Sequence, residues 1–238
     1  MPDDSPSRLN IALLIDADNA SPDSLDPVLT VLAELGTVNI RRAYGNWQKP
    51  GLKGWANMIT RHAIEPHQQF DIVKGKSATD MKMTIDAMDL LYRGHVQGFG
   101  IMSSDSDFMP LAMRIRQDGL PVYGFGREKT PESFQAACTR FIHVDRLDVV
   151  DSETPPEATE HMAEIDAGLI KLIGDAIKAS SRDANGYARL TEVGRIAGNR
   201  SSFDARSYGF NSLAGMVESI PNFQVDRRGD GVFVKRVR

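Results

Sequence analysis

The chain has 238 residues, 41% of them hydrophobic and 25% charged, with a net charge of −4, which is ordinary composition for one large globular domain or two unequal ones. Its single cysteine, Cys138, excludes an internal disulfide and points to a reducing cytoplasm. No apolar run approaches the roughly 20 residues of a membrane helix, and the acidic, Pro/Ser-rich residues 1–8 lack the basic start and apolar core of a signal peptide, so they read as a disordered N-terminus.

Residues 9–15 form a short apolar run with β-branched members, the mark of a buried strand. It ends abruptly in Asp16-Ala17-Asp18-Asn19. Ser21-Pro22-Asp23 then starts a helix, in which Leu25, Val28, Leu29, Leu32 and Leu35 recur at helical spacing and which Gly36 stops. Residues 38–44 read as a second strand, 47–51 as a turn, 52–63 as a helix and 64–67 as a short strand. Residues 70–79 are a polar loop containing Lys74-Gly75-Lys76. Asp80 opens a third helix, with Met81, Ile85, Met88 and Leu91 set for burial on a sheet. A strand follows from Gly98 and runs into Ser103-Ser104-Asp105-Ser106-Asp107, then a helix through Asp118 with Pro110 in its first turn. Residues 121–125 form a strand, 131–138 a helix and 141–144 a last strand. Alternation of strands with helices predicts an α/β unit with a mainly parallel sheet.

Residues 151–162 are acidic and carry Thr154-Pro155-Pro156, as a linker does. Beyond them the texture changes to a smaller module over 163–238. Three helices are marked by Ile165 to Ile177, by Leu190, Val193 and Ile196, and by Leu213, Met216 and Val217. Two apolar segments split by Arg227-Arg228-Gly229-Asp230-Gly231 predict a hairpin. The pattern is winged-helix-like. Residues 163–238 hold 12 Lys and Arg against 9 Asp and Glu, whereas 1–162 hold 16 against 23. A weakly basic tail beside an acidic body suits polyanion binding by one and metal binding by the other.

The candidate chemistry lies where predicted strands end. Ligands of open α/β sheets gather at the carboxyl ends of the strands, and there stand Asp16, Asp105 and Asp107, with Asp80 opening the helix between. Crowded carboxylates repel, and a bound cation removes that penalty. Oxygen-only ligands select a hard ion, Mg²⁺ or Mn²⁺. His62 and His67 have no partner at zinc spacing. Asp86, six residues past Asp80 and roughly 240° round the helix, is placed for a surface or supporting position. Gly124-Phe125-Gly126-Arg127 lacks the spacing of a nucleotide fingerprint and reads as a strand exit. Arg41, Arg42, Lys49, Lys53, Arg61, Lys74 and Lys76 flank the site, with Tyr44 and Trp47 interleaved as faces for an unpaired base; Trp55 reads as core. In the tail, Arg200, Arg206, Arg227 and Arg228 are set to meet phosphates.

Ile15 to Asn19, Lys74-Gly75-Lys76 to Asp80 and Asp86, and Ser103 to Leu111 together resemble the NYN domain, of the PIN-like metal-dependent ribonucleases, over roughly residues 9–150. The resemblance implies a Rossmann-like sheet whose acidic centre is Asp16, Asp80, Asp105 and Asp107, with Asn19 beside it. Many members have glycine where Ser104 stands. Tyr208-Gly209-Phe210-Asn211-Ser212-Leu213, with Gly186-Tyr187, Val193-Gly194 and Phe203-Asp204, resembles a LOTUS (OST-HTH) domain, which implies RNA binding or protein docking. The reading is a cytoplasmic Mg²⁺- or Mn²⁺-dependent endoribonuclease, with RNA as partner, no membrane, and a homodimer and a protein partner for the tail left open. Two alternatives stay beside it. One is a non-catalytic RNA-binding adaptor; the other is a metal-dependent phosphatase, prompted by Asp16-Ala17-Asp18.

Overall fold

A computed structural model describes residues 9–70, 78–147, 165–229 and 231–237. The expected N-terminal tail, Lys74 and Lys76, the linker at 151–162 and Asp230 lie outside the described residues. The chain forms two compact units, Met1–Asp145 and Arg146–Arg238.

The first unit is built on a six-stranded sheet. Its strands are β1 (Leu9–Asp16), β2 (Gly36–Gly45), β3 (Glu65–Gln68), β4 (Gly98–Met102), β5 (Val122–Gly126) and β6 (Arg140–His143). Their order is β3-β2-β1-β4-β5-β6, and every pairing is parallel. The helices are α1 (Leu25–Leu35), α2 (Trp55–Arg61), α3 (Ala78–Arg93), α4 (Met109–Gln117) and α5 (Glu132–Ala137). Parallel strands need such crossovers, and both faces of the sheet become buried. Ala12, Leu14, Phe99, Ile101 and Val122 pack with Met83, Ala87 and Leu90 of α3, Leu111 and Ile115 of α4, and Phe134 of α5. On the other face Leu13 and Leu32 of α1 close over Gly100, where an added Cβ would stand 3.1–3.2 Å from both. In this strand order the chain reverses direction across the sheet between β1 and β4, the place where open α/β sheets open a crevice.

The strands appear where the apolar runs predict them. Gly36 already begins β2, with φ near 178°, so helix and strand meet without intervening loop. The third helix departs from expectation in its rotation. Met81 is 67% exposed and Ile85 52%, while Thr79, Met83, Asp86, Ala87, Leu90 and Leu91 face inward. The sequence offers two apolar stripes on this helix, and ion pairing selects between them. Asp86 is buried, within 2.6 Å of Lys82 Nζ, 3.4 Å of His67 Nδ1 and 3.8 Å of Arg42 Nη1, and turning it outward would strand those groups.

The second unit contains α6 (Ala167–Ala179), β7 (Ala188–Arg189), α7 (Leu190–Arg200), α8 (Leu213–Ser219), β8 (Phe223–Arg228) and β9 (Gly231–Arg236). The predicted hairpin is β8 paired antiparallel with β9, and β7, which the sequence pattern did not reveal, adds to its far side. Leu169, Ile173, Ile177, Val193, Met216, Val217, Phe223 and Val234 make its core. Gly209 ends a 3₁₀ turn in the left-handed region at φ 79°, which accounts for glycine in the Tyr-Gly-Phe block.

One closely packed glycine lies in β5. A Cβ at Gly124 would stand 2.5 Å from the Phe141 ring and 2.6 Å from Cys138 Sγ. Gly124→Ala is expected to destabilise the protein by about 1–3 kcal/mol through overpacking, measured as a lowered urea midpoint at unchanged slope.

Candidate metal centre

The site starts from register. Ile15 pairs with Met102 across β1 and β4, so the next residue on each strand, Asp16 and Ser103, leaves the sheet side by side. Both are buried. Ser103 Oγ donates to Asp16 Oδ2 at 2.7 Å and accepts the backbone N–H of Asp105 at 3.1 Å. One hydroxyl thus ties the first acidic block to the second, 87 residues away. Asn19 Nδ2 donates to the same Asp16 oxygen at 2.8 Å. Asp16 Oδ1 is buried without a hydrogen-bond partner. Burial pushes the Asp16 carboxyl from its ordinary 3.8 to about 6; the bonds from Ser103 and Asn19 lower it, and the charges of Asp80 and Asp18 raise it again.

Three further carboxylates converge beside it. Asp80, from the first turn of α3, and Asp105 and Asp107, after β4, offer oxygens within 4.8 Å of one another. Asp105 Oδ1 caps the 3₁₀ turn of Ser106–Phe108 by accepting the N–H of Asp107 at 2.9 Å. The cap requires only one oxygen, and the exposed Asp107 carboxylate takes no part in it. The expected set of four aspartates therefore divides. Three share one space, and Asp16 lies outside that grouping, held by Ser103 and Asn19.

A hard divalent cation fits this donor set. All the ligands are oxygens, they are crowded enough to repel, and a buried carboxylate oxygen next to them lacks a partner. Asp80, Asp105 and Asp107 are the residues that would hold it, with Asp16 adjoining.

The other residues singled out by sequence take different places. Asp18 accepts from Lys49 Nζ and from Thr79 Oγ1, both at 3.0 Å. It ties the loop after β1 to the start of α3, and so helps to place Asp80. Lys49 stands at the site, joined to Asp18. Arg41 and Arg42 do not: they lie inside β2, short of its carboxyl end. Arg41 donates to the carbonyls of Val38 and His62, and Arg42 bonds Glu65 at 2.9 Å and faces Asp86. Tyr44, expected as a stacking face, is fully buried and stacks on His67 at 4.9 Å. Burial and the nearby Asp86 raise its pKa, so it stays a neutral hydroxyl. Trp47 turns its indole N–H to the His67 carbonyl, and Trp55 is core. These corrections share one cause: alternation along β2 sends Arg42 and Tyr44 under α3 and Arg41 to the face of α2. Asp86 is buried rather than at the surface, and it is not one of the three converging carboxylates. Burial pushes the Cys138 thiol up to about 12, leaving it inert. Ser103 had no role assigned from the sequence; its only signal was its place directly after the strand. A small, open depression adjoins the site, lined by residues of the β1, β4 and β5 exits, among them Asn19, Ser21, Ser104 and Arg127. Among the described residues no helix is long and apolar enough to cross a membrane.

The NYN domain family matches residues 10–147, and the OST-HTH/LOTUS domain matches residues 162–234. The chain is 28% identical over 122 residues to the uncharacterized protein MJ0482 of Methanocaldococcus jannaschii, covering 50% of this chain and 48% of that protein. It thus spans about half the length of this curated relative. The fold is also similar to the crystal structure of VPA0982, a protein of unknown function from Vibrio parahaemolyticus. The TM-score is 0.51 and the identity 19%, over 62% of this chain and 98% of that one, a likeness of fold alone.

The raised Asp16 pKa has a definite sign for stability. Between its unfolded value near 3.8 and about 6 the folded state binds more protons than the unfolded one. Stability therefore falls as pH rises through that window, by up to about 3 kcal/mol, and the penalty persists above it. In chelator, urea unfolding from about pH 4 to pH 7 should show this fall, and Asp16→Asn should remove that share of it.

Proposed function

We propose a function from the premise that this chain belongs to the NYN domain family and carries an OST-HTH/LOTUS domain behind it: it is a Mg²⁺- or Mn²⁺-dependent endoribonuclease whose C-terminal domain recruits RNA. The family supplies a PIN-like nuclease fold, and the second domain belongs to an RNA-binding class. The observation that carries the reading is the convergence of Asp80, Asp105 and Asp107 beside the buried, half-partnered Asp16.

In this reading Asp80, Asp105 and Asp107 would hold the ion, with Asp16 beside them as a further candidate ligand. When bound, such an ion sharpens a water into a nucleophile and neutralises charge growing on the phosphate. The chain's own residues do the rest. Asp107, exposed at the mouth of the site, accepts a hydrogen bond from the attacking water and orients it. Ser103 holds both Asp16 and the backbone of Asp105 in place. Asn19, whose amide already fixes Asp16, keeps that carboxylate turned, and it lines the adjoining depression where a phosphate or sugar would rest. Lys49, with Lys74 and Lys76 just before α3 in the sequence, supplies cationic contacts along the phosphate backbone. The tail raises the local concentration of RNA around the body it is joined to.

Asp18 bears on the phosphatase alternative. That chemistry needs the second aspartate of Asp16-Ala17-Asp18 available to the substrate, whereas Asp18 is bonded to Lys49 and Thr79, which favours the nuclease.

The test is incubation of the full chain with labelled single-stranded and structured RNA in Mg²⁺, Mn²⁺ or chelator. Internal cleavage with either ion and none in chelator is expected. Asp105→Asn should cleave at least ~10²-fold more slowly while still binding RNA. Equal cleavage by variant and wild type would defeat the assignment, and RNA retention without product in either ion would establish a non-catalytic binder instead.

A further inference from the structure

The sheet of the second unit has two unlike faces. Val234 stands opposite Ala188 and Val225, and with Val232 and Phe223 these side chains turn toward α6, α7 and α8. Alternation then assigns Tyr187 and Arg189, Phe233 and Lys235, and Asp226 and Arg228 to the other face. Phe233 lies directly opposite both Arg189 and Asp226. A half-covered antiparallel sheet ordinarily shows polar residues to water. This one shows two aromatic rings, neither of them buried.

The rings alternate with cations. Lys235 Nζ is 4.5 Å from the centre of the Tyr187 ring. Arg228 Cζ is 5.2 Å from that ring and 4.3 Å from the ring of Phe233. Arg189 Cζ is 5.0 Å from Phe233 on its own account. The result is a ladder of five: Lys235, Tyr187, Arg228, Phe233, Arg189. Its central rung is fixed, because Arg228 donates to Asp226 at 2.8 Å and to Asp183 at 2.7 Å. Its ends are long cationic side chains, of which Arg189 is exposed. Arg227, which the sequence groups with Arg228, points to the opposite face and pairs with Glu218 at 2.9 Å.

We propose that this face is a stacking platform for the unpaired bases of single-stranded RNA, an inference that rests on reading the tail as an RNA-recruiting domain. Bases stack on aromatic rings and on guanidinium planes alike, and the ladder presents both already aligned. Arg228, clamped by two carboxylates, stays close to both Tyr187 and Phe233. Arg189 and Lys235 swing from the rings to phosphates, which uncovers ring surface for bases. A duplex cannot use this surface, because its base faces are already stacked on one another. An apolar peptide is disfavoured by the cations that flank both rings.

The experiment is fluorescence anisotropy of the full chain with a labelled single-stranded RNA, in chelator so that nothing is cut. Phe233→Leu and Tyr187→Leu keep an apolar cover on the sheet but remove the π-faces. Each should weaken binding roughly 5- to 150-fold at unchanged melting temperature. Arg189→Ala should reduce the salt dependence by about 0.7 in log–log slope. The same RNA annealed to its complement should bind more weakly and ignore the leucine changes. Wild-type affinity in both leucine variants overturns the platform while leaving RNA recruitment by another surface intact. Absence of RNA binding by the wild-type chain instead removes the reading on which the platform rests. If a leucine variant melts lower, Arg189→Glu and Lys235→Glu decide: a loss of about tenfold or more supports the platform, and unchanged affinity overturns it.

Discussion

Carboxylates that share a small space repel one another, and a fold that gathers them must fix each one against that repulsion. Here the fixing is done by neutral donors. Ser103 and Asn19 both give hydrogen bonds to one oxygen of Asp16, and the N–H of Asp107 is given to one oxygen of Asp105. Each donor satisfies one oxygen and leaves the other to the site. The cost is visible in Asp16, whose carboxyl burial raises to about 6. A scaffold that keeps such a group buried and partly unpartnered is strained toward a counter-charge, and the parallel sheet is what holds it there, because β1 and β4 are neighbours across the point where the chain reverses direction.

The elements around the site serve that constraint. Asp18 bonds Lys49 on one side and Thr79 on the other, so the loop after β1, the turn after β2 and the first turn of α3 are located together. Asp86, six residues past Asp80 on α3, is buried among Lys82, His67 and Arg42 and sets the rotation of that helix. Buried ion pairs contribute little net stability but discriminate strongly between alternative packings. On α3 that discrimination leaves Met81 and Ile85 in water and brings Asp80 to the other carboxylates. The second unit solves a different problem, that of a three-stranded sheet with helices on one side only. Its uncovered face is filled by rings and cations that shield one another.

Much of this was legible in the residues. Apolar runs ending abruptly in Asp16 and in Ser103 located the carboxyl ends of two buried strands, and Ser21-Pro22-Asp23 located a helix start. The acidic motifs in their order identified the family. What failed did so for physical reasons. Arg41, Arg42 and Tyr44 look like surface groups when β2 is read alone, but a strand buried on both faces sends alternate residues under two different helices. Arg42 and Tyr44 therefore meet Asp86 and His67. The apolar spacing of α3 admits two rotations, and the partners that choose between them come from β2 and β3. Strand β7 is only two residues long and carries no periodic signal of its own.

The sequence by itself determined the class of fold and the acidic character of the strand ends, because strand-end aspartates and helix caps are local chemistry. Tertiary structure alone decided which aspartates share one space, that Ser103 joins two acidic blocks 87 residues apart, and that Tyr187, Arg228 and Phe233 stand in one ladder. Those facts depend on strand register and on which faces alternate residues take, and register is fixed only when distant segments pair.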